Sequence, residues 1–163
     1  HIFGVNTNVV DNLSYTDDDT IVYVAGHSLV LYSFTEKRQR FIQSSEITES
    51  ITAYTSGPGK RLCAVAMRGE NPSFHVFDVR TFRRKKSVTT SDILSKEIVS
   101  LQFSEDNQLI LALTGAPDFT LMCWNWAKAK LVASTVVSPA ISPVYRCLFS
   151  PLDASVATVI GQG

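Results

Sequence analysis

Short apolar stretches alternate with polar turns along the whole chain, and the clearest series runs from Ile98 to Val136. Its first stretch alternates apolar with polar or small residues, as expected of a half-buried strand. Its second is a continuous apolar run, as expected of a strand buried on both faces. The pattern predicts four consecutive short strands, namely Val99 to Phe103, Leu109 to Thr114, Phe119 to Trp126 and Leu131 to Val136.

The same four-strand pattern recurs at a nearly constant spacing. Ser104 follows the first strand of the series, and Ser56 and Ser150 stand at the corresponding turns, 48 positions before it and 46 after it. The residue pairs near the ends of the third strands repeat as well, since Phe77-Asp78 precedes Trp124-Asn125 by 47 positions. Four-stranded repeats of about 40–50 residues are typical of β-propeller blades.

The repeat predicts an all-β fold, a propeller segment of about three and a half four-stranded blades within residues 1–163. Because propellers close rings of about four to eight blades, we expect the chain to be part of a longer protein. Blade one is predicted to begin with a strand from Val9 to Tyr15, and one helical turn is predicted between Ser91 and Glu97. The predicted blades cover about 9–43, 51–89, 98–136 and, for half of blade four, 144–163.

Composition narrows the class of protein only slightly. The 15 basic and 15 acidic residues balance, so the net charge of the chain does not favour the binding of either a polyanion or a polycation. No apolar run of about 18 residues occurs, and we expect no membrane-spanning helix. The three cysteines, Cys63, Cys123 and Cys147, lie in apolar stretches, which favours buried reduced thiols and an intracellular location.

The sequence contains no motif typical of catalysis or of cofactor binding. The turn Gly57-Pro58-Gly59-Lys60 lacks the spacing of a phosphate-binding loop, and Asp17-Asp18-Asp19 lacks the alternating ligands of a calcium loop. His27 falls in a turn, and His75 is expected to be partly exposed. We predict no catalytic residue, metal or cofactor in this chain, although some propellers carry an active site in a central channel that other blades could complete.

Basic residues are placed unevenly along the repeats. Ten of the 15, including Lys37 and Arg80, fall between the third and fourth strands or at the start of the fourth. Because corresponding loops of successive blades lie side by side, these charges are expected on one face and its rim. They predict a surface for an acidic protein tail or a nucleic-acid backbone, or else charges that keep outer strands from pairing. The predicted partner-binding residues are Arg38, Arg40, Arg83, Arg84, Lys85, Lys86, Lys128 and Lys130.

Several short segments resemble the WD40-repeat proteins of cilia and flagella, in an order and spacing that cover nearly the whole chain. The segments are His1-Ile2-Phe3-Gly4-Val5, Ile21-Val22-Tyr23, Ala25-Gly26, Gln39 to Ile42, Arg61-Leu62, Pro143-Val144-Tyr145 and Phe149-Ser150-Pro151. The resemblance implies a WD40-like propeller that precedes a long coiled coil. The chain departs from the family at Phe77-Asp78 and Trp124-Asn125, which replace Trp-Asp, and the uncharged Asn125 argues against the His–Asp network of regular WD repeats.

The resemblance also implies a function. Its members are structural components of the ciliary axoneme that associate with inner dynein arms and support motility. It therefore implies a non-catalytic scaffold of a cilium or flagellum. The implied partners are inner dynein arm or regulatory-complex subunits or tubulin, with self-association through a downstream coiled coil, rather than a nucleic acid or a membrane. The alternative is a WD40 scaffold of another intracellular assembly, such as translation initiation or a vesicle coat.

Overall fold

The structure of the chain is a computed structural model, and it describes residues 2, 4–42, 50–137, 143–153 and 155–162. These residues form 14 strands and one short 3-10 turn, Pro58–Lys60, with no α-helix among them. In the part of the chain so described, no helix has the length and apolar character needed to cross a bilayer. The all-β prediction is confirmed.

The strands form three four-stranded sheets and one two-stranded sheet, and in each sheet consecutive strands pair antiparallel. Sheet 1 contains β1 Leu13–Tyr15, β2 Thr20–Ala25, β3 Ser28–Ser33 and β4 Arg38–Ile42. Sheet 2 contains β5 Ile51–Ser56, β6 Leu62–Met67, β7 Ser73–Asp78 and β8 Arg83–Thr89. Sheet 3 contains β9 Ile98–Phe103, β10 Leu109–Thr114, β11 Thr120–Asn125 and β12 Lys130–Val136, and sheet 4 contains β13 Val144–Phe149 and β14 Ala157–Gly161.

Neighbouring sheets pack face to face, and each pair shares an apolar core. Strand β6 is apolar throughout because both of its faces are buried. Cys63 and Val65 face the core shared with sheet 1, whereas Ala64 and Ala66 face the core shared with sheet 3. The small alanines leave room for Phe74 and the side chains of sheet 3. The first strands β5, β9 and β13 contact one another in sequence, which places them along one edge of the stack.

Two local predictions are wrong, and the backbone shows the reason in each case. The predicted strand from Val9 to Tyr15 is reduced to β1, because Asp11 lies in the left-handed region with φ 53° and interrupts the extended backbone. The helical turn predicted between Ser91 and Glu97 does not form. Asp92 has φ 60°, and the Ser95 hydroxyl donates to the backbone oxygen of Glu97 at 2.9 Å, so the link follows an irregular path.

Candidate interaction surface

The antiparallel meander sorts the turns into two ends of the stack. We call face A the end that carries the first-to-second turns at 16–19, 57–61 and 104–108 and the third-to-fourth turns at 34–37, 79–82 and 126–129. Face B carries the second-to-third turns at 26–27, 68–72 and 115–119 together with the link at 90–97. The basic residues predicted to bind a partner belong to the third-to-fourth turns and to the strands that leave them.

The third-to-fourth turns share one hydrogen bond, made by the last residue of the third strand. The Ser33 hydroxyl accepts from the backbone N–H of Glu36, the Asp78 carboxylate from that of Thr81, and the Asn125 amide oxygen from that of Lys128, in each case at 3.1 Å. Such side-chain to backbone bonds favour a tight turn. Asp78 and Asn125 therefore act here as turn caps, for which a charge is not required.

The first-to-second turns correct one equivalence drawn from the sequence. The N–H of Ser104 donates to Leu109 O at 3.0 Å, and it is the N–H of Gly57 that donates to Leu62 O at 2.8 Å. Gly57, rather than Ser56, is thus the counterpart of Ser104. Gly57 lies 47 positions before Ser104, the spacing that also relates Asp78 to Asn125, whereas Ser56 lies 48 positions before it.

Asn107 ties the face A turns of sheets 2 and 3 together. Its side-chain amide donates to Pro58 O at 2.9 Å, and its backbone oxygen accepts from the indole N–H of Trp126 at 2.7 Å. A Cβ at position 57 would collide with the amide oxygen of Asn107, so Gly57 is required for this close approach. The face A turns of sheets 2 and 3 are therefore joined to each other at this junction.

A buried carboxylate organises the face A end of sheet 2. The Asp78 side chain has no solvent exposure, and it accepts from the backbone N–H groups of Arg80 at 3.0 Å and Thr81 at 3.1 Å. The Nε of Arg61 lies 3.2 Å and the Nζ of Lys85 3.8 Å from its second oxygen. Burial raises the pKa of Asp78, but the hydrogen bonds from Thr81, Arg61 and Arg80 and the charge of Arg61 together hold the pKa below its ordinary value.

Two of the predicted partner-binding residues also stabilise the fold. The guanidinium carbon of Arg40, on β4, lies 4.6 Å from the centroid of the Phe82 ring and so joins sheet 1 to the third-to-fourth turn of sheet 2. Lys85 is the extra residue of a bulge in β8, because Val76 pairs with Lys86 and Phe77 pairs with Arg84. The bulge is where Lys85 approaches Asp78.

The remaining predicted residues are largely accessible. Lys86 is half-buried, and the others are exposed, namely Arg38 on β4, Arg83 and Arg84 on β8, Lys128 in the turn before β12 and Lys130 at the start of β12. Among the sheets that the structure describes, sheet 2 has face A turns free of acidic residues, whereas sheet 1 contributes Asp17-Asp18-Asp19 and Glu36 and sheet 3 contributes Glu105-Asp106.

The most strongly basic part of face A therefore lies on sheet 2. We call it the basic patch, and its exposed members are Lys60, Arg61, Arg80, Arg83 and Lys85. The predicted partner-binding residues included neither Arg80 nor Lys60 and Arg61. Lys60 and Arg61 were left out because only the third-to-fourth turns were considered. The antiparallel pairing of β5 with β6 was the signal that could have placed these two residues at the same end.

His75 differs from the expectation of partial exposure. Its side chain lies in β7, an inner strand of sheet 2, and the residue is only 7% exposed. Its Nε2 lies 3.1 Å from the Ser87 hydroxyl, and its Nδ1 has no hydrogen-bond partner among the described residues. Burial lowers the pKa of His75 to about 4, helped by the nearby charge of Arg84, so the ring is neutral at pH 7.

The three cysteines are free thiols, of which Cys63 and Cys147 are buried and Cys123 is half-buried. Burial raises the pKa of Cys63 to about 12 and that of Cys147 to about 11, so both remain protonated near neutral pH. Among the residues that the structure describes, no group of three or more His, Cys, Asp and Glu side chains is arranged to hold a metal ion.

Comparison with known proteins identifies the relatives of the chain, although no protein-family model matches it. Over 166 residues it is 27% identical to mouse cilia- and flagella-associated protein 57, in an alignment that covers 100% of the chain and 13% of that protein. Over 163 residues it is 27% identical to mouse cilia- and flagella-associated protein 44, covering 100% of the chain and 9% of that protein. The homologues of this chain are cilia- and flagella-associated WD-repeat proteins.

The homology confirms the resemblance found in the sequence. Human WD repeat-containing protein 90 is 36% identical over 69 residues, or 42% of the chain and 4% of that protein. Together with the stack of four-stranded antiparallel sheets, this relationship assigns the fold as a WD40-like propeller segment. The chain spans at most 13% of the length of these relatives.

Proposed function

We propose that this chain is a non-catalytic protein-interaction scaffold in the axoneme of a cilium or flagellum. The observation that carries the proposal is the alignment of the whole chain with parts of two proteins named for their association with cilia and flagella. Its sheets then serve as propeller blades at about 9–43, 51–89, 98–136 and, for half a blade, 144–163. Stacked blades present their turns as a continuous surface, which suits a scaffold.

The proposed contact surface is face A, centred on the basic patch and extending to Arg38, Lys128 and Lys130. Exposed cations that share one face attract acidic segments over about a Debye length, roughly 8 Å at physiological salt. We propose an acidic segment of an axonemal protein as the partner, from an inner dynein arm, a regulatory complex or tubulin. Such contacts would support dynein-arm assembly and motility.

Protection of outer strands is the rival explanation of these charges, and β12 argues against it. The seven residues of β12 are all exposed, yet only Lys130 among them is charged. The corresponding strand β8 begins with four consecutive cations. If charge were the general means of keeping outer strands from pairing in this chain, β12 would need it as much as β8. The contrast supports a specific role for the cations of sheet 2.

Reversing charge in the basic patch is expected to weaken binding to isolated axonemes at least tenfold. The variant Arg80→Glu/Arg83→Glu changes two exposed residues and spares Arg61 and Lys85, which contact Asp78. The difference in binding between this variant and the unmodified chain should be largest at low salt. At high salt, screening also removes the electrostatic attraction of the unmodified chain. Co-sedimentation with axonemes over a salt series measures both effects.

The matched control reverses two charges on face B. Arg68→Glu/Lys96→Glu changes the net charge by the same amount, and the two residues lie at the opposite end of the stack, where they pair with Glu97 and Glu70. We expect near-normal co-sedimentation for this control. Equal binding and equal salt dependence for the two double variants would contradict a role for the basic patch.

A further inference from the structure

Strand β8 places a serine directly after the four consecutive cations. Arg83-Arg84-Lys85-Lys86 precede Ser87, which is an exposed residue. The strand is the last in the order β5-β6-β7-β8, so within the described residues it is paired only along the edge that faces β7. An extended, basic segment ending in a serine is the form of substrate that basic-directed serine kinases bind, since acidic side chains in their clefts pair with the cations.

We propose that Ser87 is phosphorylated by a serine/threonine protein kinase that selects basic residues on the N-terminal side of its target. In this step the Oγ of Ser87 forms a bond to the γ-phosphorus of ATP, and the bond from that phosphorus to the β–γ bridging oxygen breaks. ADP leaves with the electron pair of the broken bond, and the proton of the hydroxyl passes to the base of the kinase.

The surroundings of Ser87 are suited to hold a phosphate group. The hydroxyl lies 3.1 Å from Nε2 of His75, the residue that pairs with Ser87 across β7 and β8. The charge of Arg84 also acts on the His75 ring, so a phosphate at Ser87 enters a region of positive potential. In the tautomer protonated at Nε2, His75 can donate to a phosphate oxygen, and such charge-assisted bonds are stronger than neutral ones.

Transfer to Ser87 requires the end of β8 to move away from β7. Val88, the next residue, is only 2% exposed, and the kinase cleft binds the residues on both sides of the target serine. An outer strand is held from one side only, so it separates at lower cost than an inner strand. We therefore expect slower phosphorylation of the folded chain than of a synthetic peptide covering residues 80–92.

Sheet 3 supplies an internal control at the same structural position. Ser134 pairs with Met122 across β11 and β12, as Ser87 pairs with His75, and Ser134 is also exposed. The residues before it are Lys130-Leu131-Val132-Ala133, so it lacks the run of cations. Comparison of these two serines separates the effect of the basic run from that of an outer strand.

The test uses the 163-residue chain, ATP and the catalytic subunit of cyclic-AMP-dependent protein kinase, with the modified residues mapped by mass spectrometry. We expect phosphate on Ser87, none on Ser134, loss of the modification in Ser87→Ala and at least a tenfold lower rate in Arg83→Ala/Arg84→Ala. The same two arginine substitutions in the 80–92 peptide should have the same effect without any contribution from folding. An unmodified Ser87 in the folded chain, equal labelling of Ser134, or a rate independent of the arginines would overturn the proposal.

The consequence for binding rests on the proposed function of the basic patch. A phosphate adds a charge of about −1.5 to −2 beside the patch, which should weaken attraction to an acidic partner. Axoneme co-sedimentation of the phosphorylated chain is expected to fall at least fivefold relative to the unmodified chain. Phosphate on Ser87 with unchanged binding would overturn the regulatory role alone, whereas an unmodified chain that fails to bind axonemes would overturn the proposed function.

Discussion

Replacement of Phe74 by alanine is expected to lower the free energy of unfolding by about 3–5 kcal/mol. The Phe74 side chain is fully buried in the core between sheets 2 and 3, where its ring centroid lies 6.3 Å from that of Trp124 in an edge-to-face arrangement. Its neighbours Ala64 and Ala66 are too small to fill the space that the ring would leave. Urea unfolding followed by circular dichroism measures the change.

The control for this prediction is Phe34→Ala. Phe34 is 46% exposed, and its ring contacts that of Tyr32 at a centroid distance of 5.4 Å. Removal of the Phe34 ring should lower the free energy of unfolding by less than about 1 kcal/mol, because little buried surface is lost and no enclosed cavity forms. Similar losses for Phe34→Ala and Phe74→Ala would contradict the packing of sheet 2 against sheet 3.

Replacement of Asp78 by alanine is expected to lower the free energy of unfolding by about 2–4 kcal/mol. The change leaves the N–H groups of Arg80 and Thr81 without their acceptor in the turn and removes the contact of Arg61. Asp78→Asn should cost at least about 1 kcal/mol less, because an amide oxygen can still cap the turn, as Asn125 does in sheet 3. Urea unfolding of the three proteins at pH 7 measures both differences.

The Asp78 charge also predicts how stability changes with pH. Because the pKa of Asp78 is lower in the folded chain than in the unfolded chain, its ionisation stabilises the fold above the ordinary carboxyl pKa of about 3.9. That contribution is lost as the pH falls through the folded value. The stability difference between the unmodified chain and Asp78→Asn should therefore shrink on acidification below about pH 4. A constant difference down to pH 2.5, or equal costs for alanine and asparagine, would contradict this role.

The sequence predicts the inner strands well, because their hydrophobic pattern has few alternatives. The run from Leu109 to Thr114 is bounded by turns and is apolar throughout, and the structure places β10 at those residues. The predicted start of β1 is wrong for a different reason. The left-handed backbone at Asp11 interrupts the strand, but it does not alter the pattern of apolar residues from which the strand was predicted. The equivalence of Gly57 with Ser104 is likewise invisible in the pattern, because it rests on a backbone hydrogen bond that does not depend on residue type.

The candidate surface is predictable only in part. The end of the stack at which a turn lies follows from the strand order, so the grouping of Lys37, Arg80 and Lys128 at face A could be foreseen. The contacts of Arg61 and Lys85 with Asp78 could not, because they depend on side chains from two turns and on a bulge. Burial of His75 was missed because a polar residue in an alternating strand is read as exposed, whereas an inner strand of a stacked sheet is covered on both faces.

Cross-linking mass spectrometry of intact cilia from the source organism tests the proposed scaffold most directly. Face A and its strands carry Lys37, Lys85, Lys86 and Lys128, whereas Lys96 lies on face B. We expect cross-links from the first four lysines to dynein-arm, regulatory-complex or tubulin subunits, and few from Lys96. Absence of the protein from cilia would contradict the axonemal role, and cross-links confined to Lys96 would contradict binding through face A.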